Sequence, residues 1–244
     1  MKIMGIYDPV VAKKEKGKVT FDVVGRTYTF TDKSCFPSSI KSKGYELLSS
    51  PIRVNASVNG IPCEFSPVDT RLIYGDTPEC RTSVSSMMTD NFMVDVIHNV
   101  EFDGFDTINL NIAPLSFMPG DTSALYGKSW DNQIHLDYLY VDVPISKEHV
   151  RYYQLFPAAE WDYTRVKGIE HSYAGIIPKG GFSTDFREQI YLCGDEVGIG
   201  FIFESDEKWN YADDVNVFEV IDDGDSFVLR LHFYDVEPKQ WKNK

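Results

Sequence analysis

The sequence predicts an all-β fold: a large antiparallel β-sandwich, supersandwich-like in size, with one short helix. Turn signals rich in Gly, Pro, Asn and Asp recur roughly every eight to fifteen residues, as in sandwiches and barrels. The segments between them alternate apolar and polar side chains, which is typical of strands with one buried face. Aromatic residues make up 14% of the 244 residues and favour strands over helices.

The predicted sandwich domain spans residues 18–236, between an N-terminal segment 1–17 and a linker-like tail 237–244. A chain of this length folds as one large β domain or as two smaller ones. A division into halves at 18–114 and 134–236 is therefore left open.

Two hairpins are predicted near the start of the domain. Lys18–Thr31 alternates small polar with β-branched or aromatic residues around Gly25-Arg26, as two strands joined by a tight turn do. Ile52–Val58 follows Pro51 as a strand, and Asn59-Gly60 is a strong signal for a hairpin turn.

The next two predicted strands flank Asp103-Gly104. In Phe92–Phe102 the valines share one face with His98, and we expect a buried or half-buried imidazole bonded to a neighbour rather than a catalytic histidine. The following strand ends at Pro114, and its apolar residues alternate with polar ones, which predicts one buried face. Those apolar residues are Ile108, Leu110 and Ile112.

The second half begins after Leu115–Gln133, which lacks strand periodicity and predicts a long loop or a boundary. Leu136–Val143 is predicted as a strand that ends at Pro144. Ser146 is then expected to cap a helix that runs to Tyr153. A final hairpin is expected from Val215–Ile221 and Ser226–Tyr234.

One stretch, Cys193–Trp209, combines a turn, a strand and an aromatic residue within a short distance. Its strand, Ile199–Phe203, is strongly β-prone. We expect this strand to be a core element of the sandwich. Only the aromatic residues at the end of the stretch are left as binding candidates.

Charge and composition exclude several classes of partner. The net charge is −13 and the sequence pI is about 4.8, so nucleic acid and anionic membranes are not expected as partners. No apolar run has the length of a membrane helix, and no signal peptide is recognised, which predicts a soluble cytoplasmic chain. The four cysteines have no close pair and are interpreted as free thiols.

No catalytic or metal motif is found in the sequence. The adjacent acids lie in turns, where such residues are common for structural reasons. The five histidines lack metal-ligand spacing, and neither a nucleophile elbow nor a phosphate loop occurs. We therefore predict no catalytic residue, no metal and no cofactor. The acid pairs in question are Asp195-Glu196, Asp213-Asp214 and Asp222-Asp223.

Aromatic residues in loop-like segments supply the candidate binding residues. A tryptophan beside a carboxylate or amide suits a sugar ring, which offers C–H groups for stacking and hydroxyls for hydrogen bonds. The same residues would also serve as plugs at the ends of the sandwich or as contacts to another domain. The candidates are Trp130, Trp161, Asp162, Trp209 and Tyr211.

An ordered set of short motifs resembles the β-sandwich domain that precedes the catalytic barrel in glycoside hydrolase family 123-like proteins. Each motif is weak alone, and their order along the chain carries the resemblance. The motifs are Gly25–Phe30, Phe36–Ile40, Gly44–Pro51, Val100–Gly104, Leu139–Pro144 and Cys193–Trp209.

The resemblance implies a part of a β-N-acetylgalactosaminidase-like protein. In that family the catalytic acids lie on the barrel, so the resemblance implies no catalytic residue in this chain. The expected function is a non-catalytic module that supports or packs on a barrel. The alternative is an independent carbohydrate-binding module, with an N-acetylhexosamine-containing glycan as its partner.

Overall fold

The structure is a computed structural model, and its regular secondary structure is almost all β, with 62% strand and 1% helix, which confirms the predicted all-β class. It divides into two compact units. Unit 1 holds the residues up to Gly44 and from Val58 to Leu115, and unit 2 holds Tyr45–Ser57 and the residues from Leu136 onward. The described residues are 8–73, 77–115, 136–156, 166–167, 173–205, 207, 209–211 and 216–235.

The strands are numbered in chain order. The first eleven are β1 Val11–Glu15, β2 Lys18–Val23, β3 Arg26–Thr31, β4 Ser39–Ser42, β5 Tyr45–Glu46, β6 Arg53–Val58, β7 Ile61–Pro62, β8 Asp69–Leu72, β9 Cys80–Met88, β10 Phe92–Glu101 and β11 Asp106–Pro114. The others are β12 Leu136–Ser146, β13 Tyr152–Phe156, β14 Val166–Lys167, β15 Ala174–Ile176, β16 Phe182–Thr184, β17 Gln189–Cys193, β18 Gly198–Ile202, β19 Asn210–Tyr211, β20 Phe218–Asp223 and β21 Ser226–Asp235.

Unit 1 contains two antiparallel sheets, β1-β2-β3-β4 and β11-β10-β9-β8. Their buried faces meet where the Phe30 ring lies 4.7 Å from the imidazole of His98. Both predicted hairpin turns are confirmed: Val23 pairs with Arg26 across a turn that contains Gly25, and Asn59-Gly60 has positive φ angles of 53° and 77°. Positive φ at both central residues is what a two-residue hairpin turn requires.

His98 is buried, as the sequence predicts, and both of its ring nitrogens are bonded. Nδ1 lies 2.8 Å from Asp106 Oδ2, and Nε2 lies 2.9 Å from the carbonyl oxygen of Cys35. Because a carbonyl only accepts, Nε2 must be the donor in that bond. The imidazole therefore links β10 to β11 through Asp106 and to the β3–β4 connection through Cys35, which is a structural role in the core of unit 1.

The predicted burial of one face of β11 is wrong. Its apolar residues face the same side as the buried valines of β10, but Ile108 is 43% exposed and Ile112 is 42% exposed. Among the described residues β11 pairs with β10 alone and therefore lies at the edge of its sheet. Alternation predicted the strand and its faces correctly, but it does not determine whether another layer covers them.

Unit 2 also contains two sheets. The larger has the order β14-β16-β20-β21-β12-β6, with β19 parallel to β21, and the smaller has the order β15-β13-β17-β18. The rings of Tyr153 and Phe182, one from each sheet, lie 4.8 Å apart. Buried residues such as Leu139, Leu192 and Leu229 fill the space between the sheets.

The predicted helix from Ser146 to Tyr153 is wrong. β12 continues through Pro144 to Ser146, a turn follows, and β13 begins at Tyr152. The Pro144 carbonyl accepts a hydrogen bond from the Ser49 N–H and therefore points away from β21. Because the nitrogen and the carbonyl of a strand residue point to the same side, the missing N–H of Pro144 does not interrupt the pairing of β12 with β21. The capping signal at Ser146 is thus outweighed by strand pairing on both sides of the turn.

The final hairpin and the strand within Cys193–Trp209 are confirmed as elements. The hairpin turns at Gly224, with Asp223 paired to Ser226. The strand β18, however, lies at the edge of the smaller sheet, and its residues alternate between exposed and half-buried. The expectation that it is a core element is therefore wrong, because it has a neighbouring strand on one side only within the described chain.

Two further findings concern the whole described chain. All four cysteines are thiols outside any disulfide, as predicted, and burial raises the pKa of the Cys35 thiol to about 12. Within the described ranges, no helix has the length and apolar character needed to cross a membrane.

Candidate functional site

Unit 2 presents an apolar outer surface on its smaller sheet, here named the aromatic face. Strand alternation places one set of side chains inward and the other outward. Leu155, Ile190 and Leu192 point inward and are buried. The strand registers align the outward set, and five of its residues define the aromatic face: Tyr152, Phe156, Ile176, Tyr191 and Ile202. Gln154 and Gln189 point to the same side and lie among them, and Gln189 accepts a hydrogen bond from the Tyr191 hydroxyl at 3.1 Å.

The two edges of the aromatic face are its most exposed parts. Ile176 on β15 is 64% exposed and Ile202 on β18 is 50% exposed. Between them, Tyr152, Phe156 and Tyr191 are half-buried. Single exposed apolar residues are ordinary, whereas several apolar residues on one sheet face are characteristic of an interaction surface.

A glycine in β18 makes room for one ring of the aromatic face. Gly200 is the register partner of Tyr191, and a Cβ at that position would lie 2.6 Å from two carbon atoms of the Tyr191 ring. The tyrosine ring therefore lies directly on the backbone of β18. The Phe156 ring meets the same tyrosine edge-on, with the ring centroids 6.2 Å apart.

A second surface of unit 2, here named the polar row, runs across the larger sheet. The strand registers place Asp142 opposite Arg230, and Arg230 opposite Glu219. Asn55 from β6 donates to Asp142 at 3.4 Å. The polar row is thus built from four strands, with Asn55, Asp142, Arg230 and Glu219 in sequence across them.

The arginine at the centre of the polar row is held by a two-pronged ion pair. Arg230 donates from Nε to Asp142 Oδ1 at 2.8 Å and from Nη2 to Oδ2 at 3.1 Å. Burial opposes the charge on Arg230, but the hydrogen bonds and the charge of Asp142 outweigh it and raise the pKa of the guanidinium. The guanidinium also lies 4.0 Å from the centroid of the Tyr140 ring, a cation–π contact.

Glu219 ends the polar row and is paired with a histidine. His232 Nε2 lies 2.7 Å from Glu219 Oε2, and His232 Nδ1 lies 3.6 Å from Asp235 Oδ2. The hydrogen bond from His232 lowers the pKa of the Glu219 carboxyl, assisted by the charges of His232 and Arg230 and opposed by burial. A catalytic acid needs a raised carboxyl pKa, so this shift has the opposite sign.

Two tyrosines extend the polar row along β12. The rings of Tyr138 and Tyr140 stack with centroids 5.2 Å apart and planes 29° apart. Burial raises the pKa of the Tyr140 hydroxyl, which keeps it protonated and able to donate a hydrogen bond. The tyrosines and the half-buried Arg230 together offer ring surface and hydrogen-bonding groups in one place.

The structure describes only part of the predicted set of site residues. Trp130, Trp161 and Asp162 lie outside the described residues. Tyr211 belongs to β19, where it is the register partner of Asp235. Its role in binding stays a prediction.

Trp209 is half-buried in a cluster of phenylalanines. Its ring lies 4.4 Å from that of Phe233 and 5.6 Å from each of three others. These contacts favour the packing interpretation of this residue, since ring surface used inside the cluster is not offered to a sugar. The three other rings belong to Phe186, Phe203 and Phe218.

Sequence reasoning missed both surfaces for identifiable reasons. Alternation in β13 signals an outward pair, Tyr152 and Phe156, but the helix expected from Ser146 to Tyr153 conceals the start of this strand. The polar row joins residues far apart in the sequence, such as Asn55, Asp142 and Arg230, and only strand register brings them together.

No family model matches this chain, and no curated protein matches it. Within the described residues, no group of three or more His, Cys, Asp or Glu side chains is placed to hold a metal ion. The fold and the two surfaces define an all-β sandwich protein with one apolar and one polar surface in unit 2.

Proposed function

We propose that the chain is a non-catalytic β-sandwich module of a β-N-acetylgalactosaminidase-like protein, and that it packs on the catalytic barrel through the aromatic face of unit 2. One observation carries the proposal: Ile176 and Ile202 stand in water at opposite edges of a sheet whose outward residues are mainly aromatic and aliphatic. The ordered motif resemblance supports the identity of the partner.

The driving force for such packing is the removal of apolar surface from water. Each Å² of buried apolar surface contributes about 25 cal/mol. The core of a protein interface is enriched in tyrosine and phenylalanine, as the aromatic face is. A flat, glycine-backed sheet also presents this surface without reorganisation, which keeps the entropic cost of binding low.

The chemistry of the polar row supports a non-catalytic role. Its two carboxylates are each engaged by a neighbouring side chain, Asp142 by the Arg230 guanidinium and Glu219 by a hydrogen bond with His232. Glycoside hydrolysis needs one carboxylic acid that stays protonated, and the lowered pKa of Glu219 is unsuited to that task.

The test uses the whole chain and a purified barrel of a family 123-like hydrolase from the same organism. Sedimentation velocity should show a complex with the wild-type chain. The double variant Ile176→Asp with Ile202→Asp should weaken that complex at least ~10-fold, because two buried carboxylates oppose packing. The control is Ile61→Asp, since Ile61 is 69% exposed and belongs to unit 1.

Two results would contradict this proposal. One is the lack of any complex between the wild-type chain and the barrel. The other is an equal loss of binding in the double variant and in the Ile61→Asp control, because the aromatic face would then have no special role.

A second candidate function is binding of an N-acetylhexosamine-containing glycan by the polar row. The observation that favours it is the stacked pair Tyr138 and Tyr140 beside the Arg230 guanidinium. Aromatic rings stack on sugar C–H groups, and a guanidinium donates to hydroxyl and acetamido oxygens.

A glycan titration separates this candidate from the first. If the polar row binds glycan, N-acetylgalactosamine oligomers should bind the wild-type chain in calorimetry, and Tyr140→Ala should reduce the affinity at least ~10-fold. The control is Tyr173→Ala, which removes an exposed tyrosine of the same unit. Equal binding by wild type and Tyr140→Ala would exclude the polar row as the glycan site.

A further inference from the structure

Among the described residues, no strand pairs with the outer edge of β11, which leaves a row of its backbone groups unpaired there. Glu101 donates its N–H to the carbonyl of Phe105 at 2.8 Å, so these two residues form a hydrogen-bonded pair. Hydrogen-bonded and non-hydrogen-bonded pairs alternate along an antiparallel ladder. Continued through the β10–β11 register, this alternation directs the backbone groups of every second residue of β11 away from β10, and in the middle of the strand these residues are Ile108, Leu110 and Ile112.

The sequence of this edge is a palindrome centred on Leu110. It reads Ile-Asn-Leu-Asn-Ile from Ile108 to Ile112. If two copies of β11 pair antiparallel with Leu110 opposite itself, each isoleucine meets an isoleucine and each asparagine meets an asparagine. Leu110 and the isoleucines, whose backbone groups point outward, then lie opposite one another, so their backbones can form the hydrogen bonds between the two copies in the same register.

The local charge permits this pairing in a chain whose net charge of −13 otherwise opposes self-association. No ionisable side chain occurs from Thr107 to Ala113. The nearest acid, Asp106, is buried against His98 at 2.8 Å and does not project from the edge. By contrast, the edge strand β1 carries Lys13, Lys14 and Glu15, which is how edges are protected from pairing.

Pairing would also cover the apolar face that unit 1 leaves open. Ile108 and Ile112 lie on the same side as the buried valines of β10, yet more than two fifths of each is exposed. In the twofold pair, Ile108 packs on the Ile112 of the second copy, and the buried face of the sheet continues across the junction. In a twofold contact of this kind the β11 edges of both copies are paired with each other, so no further copy can add there and the assembly is a closed dimer.

We infer that the β11 edge is a self-association surface, and that its occupant is the β11 edge of a second copy of this chain. Sedimentation equilibrium of the full chain should show a monomer–dimer equilibrium. Leu110→Lys and Leu110→Glu should each raise the dimer dissociation constant at least ~10-fold, because each places like charges opposite one another. An equimolar mixture of the two variants should restore dimers that contain one copy of each.

Two controls keep the result interpretable. Val24→Lys adds the same charge as Leu110→Lys at an exposed position in the turn between β2 and β3, and this variant should dimerise like wild type. A Leu110→Cys chain should form an intermolecular disulfide on oxidation, since directly opposed residues have Cα atoms about 5.5 Å apart. Asn111→Cys should not, because position 111 lies opposite position 109 in this register.

The inference is overturned if the wild-type chain sediments as a monomer, or if the charged variants dimerise like wild type. It is also overturned if the mixed variants stay monomeric while each retains the wild-type circular dichroism spectrum. Should a charged variant fail to fold, oxidation of the two cysteine variants decides. A disulfide in the Leu110→Cys chain, with none in the Asn111→Cys chain, supports the register, and the lack of a disulfide in the Leu110→Cys chain refutes it.

Discussion

The aromatic face and the polar row belong to the same unit but use their side chains in opposite ways. The charged side chains of the polar row are bonded within the unit, Arg230 to Asp142 and Glu219 to the neighbouring His232. The aromatic face leaves Ile176 and Ile202 in water. The polar row therefore stabilises the unit itself, whereas the aromatic face exposes apolar surface that a partner would bury.

The largest expected effect comes from removing one charge of the polar row. Asp142→Ala should lower the free energy of unfolding by about 3 kcal/mol, because it leaves a half-buried Arg230 without its two-pronged acceptor. Urea denaturation measures this. Asp22→Ala, which removes an exposed ion pair with Lys13, should cost less than about 1 kcal/mol. Similar losses in the two variants would show that the polar row does not stabilise the fold.

The next largest effect on the free energy of unfolding is expected where the Tyr191 ring packs on Gly200. Gly200→Ala should destabilise the chain by about 1–2 kcal/mol, because the added Cβ displaces the Tyr191 ring. Combining it with Tyr191→Ala should remove most of that cost, as a double-mutant cycle in urea would show. Additive losses would mean that the tyrosine ring does not lie on Gly200.

Much of the fold was predictable because local signals agree with it. Asn59-Gly60 forms the expected turn, and alternation in β10 places Val94 and Val96 in the core. Alternation in β11 is equally regular, yet Ile108 is exposed. Sequence alternation determines which side a residue faces, whereas burial depends on a second layer that the local sequence does not specify.

The candidate surfaces were less predictable than the strands. The polar row depends on register between strands that lie far apart in the chain, as the Asp142–Arg230 pair shows. Tyr152 of the aromatic face was assigned to a helix because the capping signal at Ser146 is local. A serine followed by an acid is compatible with a turn as well as with a helix start.

A smaller, pH-dependent effect is expected at Glu219. Its pKa is lowered in the folded protein, so its stabilising contribution is present above the unfolded carboxyl pKa and is lost as the pH falls through the folded value. Glu219→Gln should cost about 1 kcal/mol at pH 7 and progressively less below about pH 4.5. Urea midpoints measured from pH 7 to pH 3 would test this, and a difference that grows toward low pH would contradict it.

The smallest effect on stability is expected on the aromatic face. Ile176→Asp should change the free energy of unfolding by less than about 0.5 kcal/mol, because Ile176 is mostly in water in the isolated chain. Thermal denaturation measures this. A loss above about 1.5 kcal/mol would show that Ile176 packs within unit 2, and the contrast between the two surfaces would fail.

Hydrogen–deuterium exchange tests the central claim most directly, because it locates the surface on which the barrel packs. Amide exchange of the whole chain is compared with and without a saturating concentration of the purified barrel. Packing through the aromatic face predicts slower exchange in β15 and β18, with the β12 and β21 amides of the polar row unchanged. Unchanged exchange in β15 and β18, or protection confined to the polar row, would contradict the proposed function.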